Sequence, residues 1–221
     1  MTEDAAQRPV TDTLAAALAR HGIELLPQQI DGLDRYCRVL WEWNAKLNLT
    51  RHTDYDRFVS RDVVDTLEFS KVLAPSEHVL DVGTGGGVPG VVLAILRPDL
   101  QVALAESVGK KARAVAEIVG SLGLSVPVHH GRAEELLARE RYQSLVVRAV
   151  APLSKLLNWF APFWGSFERL LVIKGPAWVD ERHVAREAGL MQGLQLRKLA
   201  QWPLPGTHSE SVLLEVRPRG V

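Results

Sequence analysis

The chain has 221 residues, 47% of them hydrophobic, enough to bury one sizeable core with a small helical appendage, so one catalytic domain is the default. Lys+Arg and Asp+Glu both number 26, so no global field draws in nucleic acid, and any such contact has to be a local patch. The single cysteine, Cys37, excludes an intramolecular disulfide framework and a cysteine zinc cluster, and it fits a reducing, cytoplasmic location.

Residues 1–10 are polar, include Glu3 and Asp4, lack the basic and apolar regions of a signal peptide, and are expected to form a frayed tail. The longest apolar stretch, Val91 to Leu96, falls far short of the roughly 20 residues that span a bilayer, so no membrane partner is expected. Residues 1–73 read as a small N-terminal helical region. Thr11 or Asp12 caps a first helix ending at His21-Gly22, and Pro27 suits the first turn of a second. Ile30, Leu33, Cys37, Leu40 and Trp41 recur at three- and four-residue spacing as one apolar stripe, which makes Cys37 a core residue and not a nucleophile. The joint at Ala74-Pro75-Ser76 is the expected subdomain boundary, with residues 74–221 forming the second unit.

From Glu77 onward, short apolar runs alternate with helical segments, the pattern of a parallel sheet built from crossover units. Strands are expected at His78 to Val82, Gln101 to Ala105, Val126 to His129, Ser144 to Arg148, Leu170 to Lys174, Leu194 to Trp202 and Ser211 to Val216. The helices between them are expected at Val88 to Arg97, Lys110 to Leu122, Ala133 to Arg139, Leu153 to Trp164 and Asp180 to Leu190. The fold class is therefore α/β, a seven-stranded Rossmann-like sheet.

The stretch Val79 to Gly90 leaves a strand, turns on glycines and enters a helix. Gly85, Gly87 and Gly90 satisfy the dinucleotide pattern G-x-G-x-x-G, so a nicotinamide cofactor is one reading. Two details favour S-adenosylmethionine: Asp81 lies where a carboxylate faces the cationic amino-acid end of that cofactor, and Gly83 comes earlier than a pyrophosphate turn requires. Glu106, at the end of the next strand, is expected to hold ribose hydroxyls, a feature both cofactors use. Lys110, Lys111 and Arg113 crowd the first turn of the following helix, where the dipole disfavours cations by roughly 0.3–1 kcal/mol each; RNA phosphate and a solvated polar face are both open explanations. After the third strand, Ala133 and Glu134 are candidates to meet the adenine ring. His129 and His130 point to opposite faces of a strand and no further ligand joins them, so no metal is expected.

The tip of the fourth strand, Arg148-Ala149-Val150-Ala151-Pro152, has neither the Asn/Asp-Pro-Pro-aromatic turn of exocyclic-amine methyltransferases nor a nucleophilic cysteine. Guanine N7 needs neither, because its lone pair attacks without losing a proton and the enzyme works mainly by positioning. Arg148 is a candidate to hold the cofactor carboxylate or to donate to guanine O6, and Lys174 to touch phosphate; an edge salt bridge is the plainer reading of each.

Taken together, Trp43-Asn44, Asn48-Leu49-Thr50, Asp65-Thr66, Asp81 to Gly90, Ser107 to Lys111, Arg132-Ala133-Glu134, Arg148 to Leu153 and Lys174-Gly175-Pro176 resemble the small-subunit ribosomal RNA guanine-N7 methyltransferase family, also called glucose-inhibited division protein B. The resemblance runs from about Leu40 to Pro176 with order and spacing kept. It implies a class I methyltransferase sheet, S-adenosylmethionine as donor, a guanine in the decoding region of the small-subunit RNA as acceptor, and cofactor contacts at Gly83, Val88, Ala133, Glu134 and Arg148; the neutral net charge adds the expectation of folded RNA or a ribosomal particle as substrate. The residue reading adds Gly85, Gly87 and Glu106 for the cofactor, and Lys110, Lys111 and Lys174 for RNA. The chain departs from the family at Arg61-Asp62, where Arg-His is usual, at Gly86, where proline or alanine is common, and at Ser209 to Val212, which lacks the usual Arg-His or Arg-Ser pair.

Overall fold

The computed structural model describes residues 12–204, 207 and 209–220. The tail expected at residues 1–10 and the possible Thr11 cap lie outside the described residues. Helix α1 (Leu14–Arg20) starts where the Thr13 hydroxyl accepts the Ala16 N–H at 3.2 Å, satisfying one of the orphan donors of a helix start. Helix α2 (Pro27–Leu47) begins on its proline and buries Leu33, Tyr36, Cys37 and Leu40. Tyr36 occupies the middle of the expected stripe, while Ile30 and Trp41 fall to its half-buried edges. Burial pushes the Cys37 thiol up, which keeps it an inert core group.

A short α3 (Tyr55–Arg57) runs into a π-helical stretch (Phe58–Val63) and then α4 (Val64–Val72). Such wider turns are frequent at functional sites, and this one places the buried Asp62 one turn before the buried Asp65.

The sheet holds β1 (His78–Val82), β2 (Gln101–Glu106), β3 (Val128–His130), β4 (Tyr142–Arg148), β5 (Phe167–Lys174), β6 (Leu194–Pro203) and β7 (Glu210–Pro218), in the order β3-β2-β1-β4-β5-β7-β6. Strands β1 to β5 pair in parallel, but β7 runs antiparallel to both β5 and β6. The seven expected strands are present, five of them in the expected parallel arrangement and the last two joined antiparallel. Only residues 204–209 join β6 to β7, far fewer than a crossover needs, so the last two strands close as a hairpin. The intervening helices are α5 (Gly90–Leu96), α6 (Gly109–Leu122), α7 (Ala133–Leu137), α8 (Leu153–Phe160) and α9 (Trp178–Glu187).

The period of two along each strand divides the core into two layers. Val79, Val102, Leu104, Val146, Leu171 and Leu213 pack in one layer with Leu33, Cys37, Phe58 and Phe69 from the N-terminal helices. Leu80, Ala103, Leu145, Val147 and Val172 pack in the other with Leu153, Leu156, Phe160 and Ala185. The boundary read at residues 74–76 thus marks a change of element type inside a continuous core. On α6 the buried residues are Ala112, Ala114, Val115, Ile118 and Val119, while Ala116 is exposed.

Candidate active site

The carboxyl ends of β1 to β5 carry the candidate residues, as open parallel sheets require. After β1 the chain turns at Gly83, Gly85 and Gly87, whose φ values of 69°, 60° and 110° lie in the left-handed region that excludes most side chains. A Cβ at Gly90 would lie 2.2 Å from Leu104 and 2.8 Å from the Asp81 carboxylate, so the loop can enter α5 only on a glycine. Asp81 clamps this loop from beneath: its Oδ2 accepts the Thr84 hydroxyl at 2.6 Å and the Gly90 N–H at 2.8 Å. Its Oδ1 is buried with no partner, and burial pushes the carboxyl up to about 6, against the opposing pull of those two bonds. The N-terminal helices support the loop too. The buried Tyr36 hydroxyl donates to the Gly86 carbonyl at 2.9 Å, and Leu40 and Leu49 fill the space beside Gly86, a packing counterpart to the family departure there.

Glu106 bridges the two loops that follow β1 and β2. Its carboxylate oxygens accept the Gly85 N–H at 2.9 Å and the Val108 N–H at 2.8 Å, and each retains a lone pair for a further donor. Beyond it lies a cavity of about 140 Å³ lined by Gly83, Ser107, Ala133, Glu134, Trp159 and Phe160, among others. That space suits one ring, not a whole nucleoside. Gly85, Gly87, Val88 and Glu106 shape the loops around it without lining it. Trp159 and Phe160 were missed from sequence, where they read only as part of an amphipathic helix; no local motif marks them.

A second cavity, about 720 Å³, opens at the ends of β4 and β5, and the two cavities share Val150 as a wall. Its lining includes Arg51, His52, Arg61, Arg148 and Ser211. Arg148 reaches across to the π-helical turn: Nη2 lies 2.7 Å from Asp62 Oδ1 and Nη1 3.2 Å from Asp65 Oδ2. Burial works against the Arg148 charge, and the two carboxylates overcome it, holding its pKa above the usual value. Asp65 also accepts the Trp202 indole N–H at 3.2 Å, and Asp62 meets His52 Nδ1 at 2.9 Å. The Asp62 that replaces the family's histidine is therefore the hub of a buried ion network.

Lys174 requires a correction. Its ammonium is buried, lies 2.7 Å from Glu181 and donates to the Ala151 carbonyl, so it pins α9 to the loop after β4 instead of reaching out to phosphate. Of the four cations that line the large cavity, Arg148 and Lys174 are held in ion pairs; the other two, Arg51 and Arg61, are not among the RNA contacts expected from the sequence. Lys110 is exposed and Lys111 half-buried at the start of α6, a turn with no acidic residue. Among the described residues no group of three potential metal ligands converges, and no helix is long and apolar enough to cross a membrane.

The family of rRNA small subunit methyltransferase G matches residues 29–204. This chain belongs to that family. A relative in Rhodopirellula baltica, named ribosomal RNA small subunit methyltransferase G, is 50% identical over 188 residues, covering 85% of this chain and 81% of its own length. One of the same name in Moorella thermoacetica is 34% identical, covering 88% of this chain and 85% of its own. Among solved structures, TrmK of M. capricolum, in complex with S-adenosylhomocysteine, superposes with a TM-score of 0.56 at 10% identity over 70% of this chain and 68% of that one. An rRNA methylase from Streptococcus thermophilus gives 0.50 at 16% identity over 72% of this chain and 96% of that one. At such identities the likeness shows the fold, that of a class I methyltransferase. The span matched by the methyltransferase G family contains both cavities except for Ser211.

Proposed function

We propose that this member of the methyltransferase G family transfers the methyl group of S-adenosylmethionine to N7 of a guanine in small-subunit ribosomal RNA. The observation that carries the reading is the pair of adjoining cavities with Val150 between them, one sized for a ring and walled by Trp159 and Phe160, the other large and faced by Arg51 and Arg61. Ala133 and Glu134 would border the adenine, the free lone pairs of Glu106 would take the ribose hydroxyls, and the Asp81 carboxylate, buried beneath the loop with Oδ1 unpartnered, would favour the cationic amino-acid end of the cofactor. When bound, S-adenosylmethionine supplies an electrophilic sulfonium methyl. Guanine N7 presents an unprotonated lone pair, so no residue has to remove a proton, and the task of the chain is to align acceptor with donor and exclude water. Neutral overall charge favours an assembled ribosomal particle over naked RNA as the substrate, and a cytoplasmic location follows from that substrate.

The decisive assay supplies labelled methyl donor to small ribosomal subunits from a strain lacking this modification, digests the RNA and identifies the labelled nucleoside. 7-Methylguanosine is the expected product; label that appears without RNA, or on another nucleoside, overturns the reading.

Asp81 makes the cofactor step pH-dependent. A cation placed against it favours its ionised form, so protonation competes with binding below the carboxyl's own value near 6. Affinity for S-adenosylhomocysteine, measured calorimetrically, is expected to rise with pH from about 5 and to level off above about 6.5. Asp81→Asn should flatten the rise; a flat profile in the unmodified protein contradicts the role.

A further inference from the structure

Adenine carries the same N7 lone pair as guanine, so a site that recognises N7 alone cannot tell them apart; the two purines differ on the neighbouring edge, where guanine offers O6 as acceptor and N1–H as donor and adenine offers the reverse. The large cavity holds a matching pair of groups. His52 lines it, and Nδ1 of its ring faces the fully buried Asp62 carboxylate, 2.9 Å from Oδ1 and 3.0 Å from Oδ2. A carboxylate can only accept, so Nδ1 carries a ring proton, and in the neutral ring Nε2 keeps its lone pair. Asp62 is itself held by Arg148 at 2.7 Å, and the His52 backbone is fixed on both sides, its N–H on the Thr50 hydroxyl at 3.0 Å and its carbonyl on the Trp41 indole N–H at 2.8 Å. Nε2 makes no hydrogen bond among the described residues. Arg61 lines the same cavity and has a buried Nε with no partner among the described residues, a donor without an acceptor.

We propose that Nε2 of His52 accepts a hydrogen bond from N1–H of the acceptor guanine, so that the Asp62–His52 pair selects guanine over adenine, with Arg61 supplying the donor for O6. No proton is transferred. Adenine would place its N1 lone pair against that of Nε2 and leave both unsatisfied, the arrangement by which polar sites reject close analogues most strongly. The target base must then have its pairing edge free, as in a loop or bulge of folded RNA.

The inference rests on the guanine-N7 reading, and the test separates the two. Wild type, His52→Phe and His52→Gln are compared on undermethylated small subunits carrying guanine or adenine at the labelled position, with S-adenosylhomocysteine affinity and thermal midpoint measured on each protein. Glutamine keeps an amide donor for Asp62 and an acceptor for the base. The expected result is a roughly 10–100-fold loss of kcat/KM on guanine for the phenylalanine variant, substantial recovery with glutamine, unchanged cofactor affinity, and no comparable loss on adenine. Guanine turnover by His52→Phe within about threefold of wild type, or no recovery with glutamine, overturns the role of His52. Wild-type protein that forms no 7-methylguanosine overturns the functional reading instead.

Discussion

Replacing Arg148 by methionine is expected to lower folding stability by about 3–5 kcal/mol, because it leaves two carboxylates in the interior without their counter-charge. Asp62 is fully buried and Asp65 nearly so, and Arg148 contacts both at 2.7 and 3.2 Å. The His52 and Trp202 contacts remain but supply no fixed positive charge, and Arg61 acts on Asp65 without a direct ion pair. For a chain of this length the loss corresponds to a fall in thermal midpoint of roughly 6–20 °C. The deficit has a definite pH signature. Burial already pushes the Asp65 carboxyl up while Arg148 pulls it down, so the variant raises it further. An acid whose folded value lies above its unfolded value destabilises the fold at neutral pH and ceases to do so as pH falls through the folded value. The gap between Arg148→Met and wild type should therefore narrow on acidification, and adding Asp65→Asn should recover part of it. A midpoint within about 2 °C of wild type at neutral pH, a loss of under about 1 kcal/mol, would show that the network is not a buried ion cluster.

The second large effect concerns the cofactor. Glu106→Gln should weaken S-adenosylhomocysteine binding by roughly 10–100-fold, the scale of lost hydrogen bonds to a charged group. The glutamine oxygen can still accept one of the two backbone N–H groups, from Gly85 or Val108, but its amide nitrogen then faces the other as donor against donor. The loop after β1 loses one of its ties, and the ribose loses a charged acceptor. Calorimetry gives the affinity, and a thermal midpoint near that of wild type would separate the binding effect from unfolding. Affinity within twofold of wild type would remove Glu106 from the site.

The parts of the fold legible in the sequence were those set by local pattern. Strand β1 falls at His78 to Val82 as expected, because its apolar run is bounded by a turn on one side and glycines on the other. The glycine loop and Glu106 were legible for the same reason: a tight turn and a strand end leave signatures within a few residues. What stayed hidden depends on distant partners. A salt bridge was an open reading of both Arg148 and Lys174, but nothing near either residue names its partners, Asp62 and Asp65 from the N-terminal region for Arg148 and Glu181 on α9 for Lys174. The π-helical turn at Phe58–Val63 has no propensity signal of its own, yet it sets which carboxylates point at the site. The antiparallel β7 follows from the short connection to β6, a matter of chain length that strand pattern alone does not reveal.

The claim on which the function depends is that the loop after β1 and the carboxylate ending β2 together hold an adenosyl group, and a crystal structure with S-adenosylhomocysteine tests it most directly. The ribose hydroxyls are expected within hydrogen-bond distance of Glu106, the adenine against Ala133 and Glu134 between Trp159 and the turn at Gly83, and the sulfur directed past Val150 toward the cavity that contains His52 and Arg61. A nucleoside bound elsewhere, or one whose sugar makes no contact with Glu106, would contradict it.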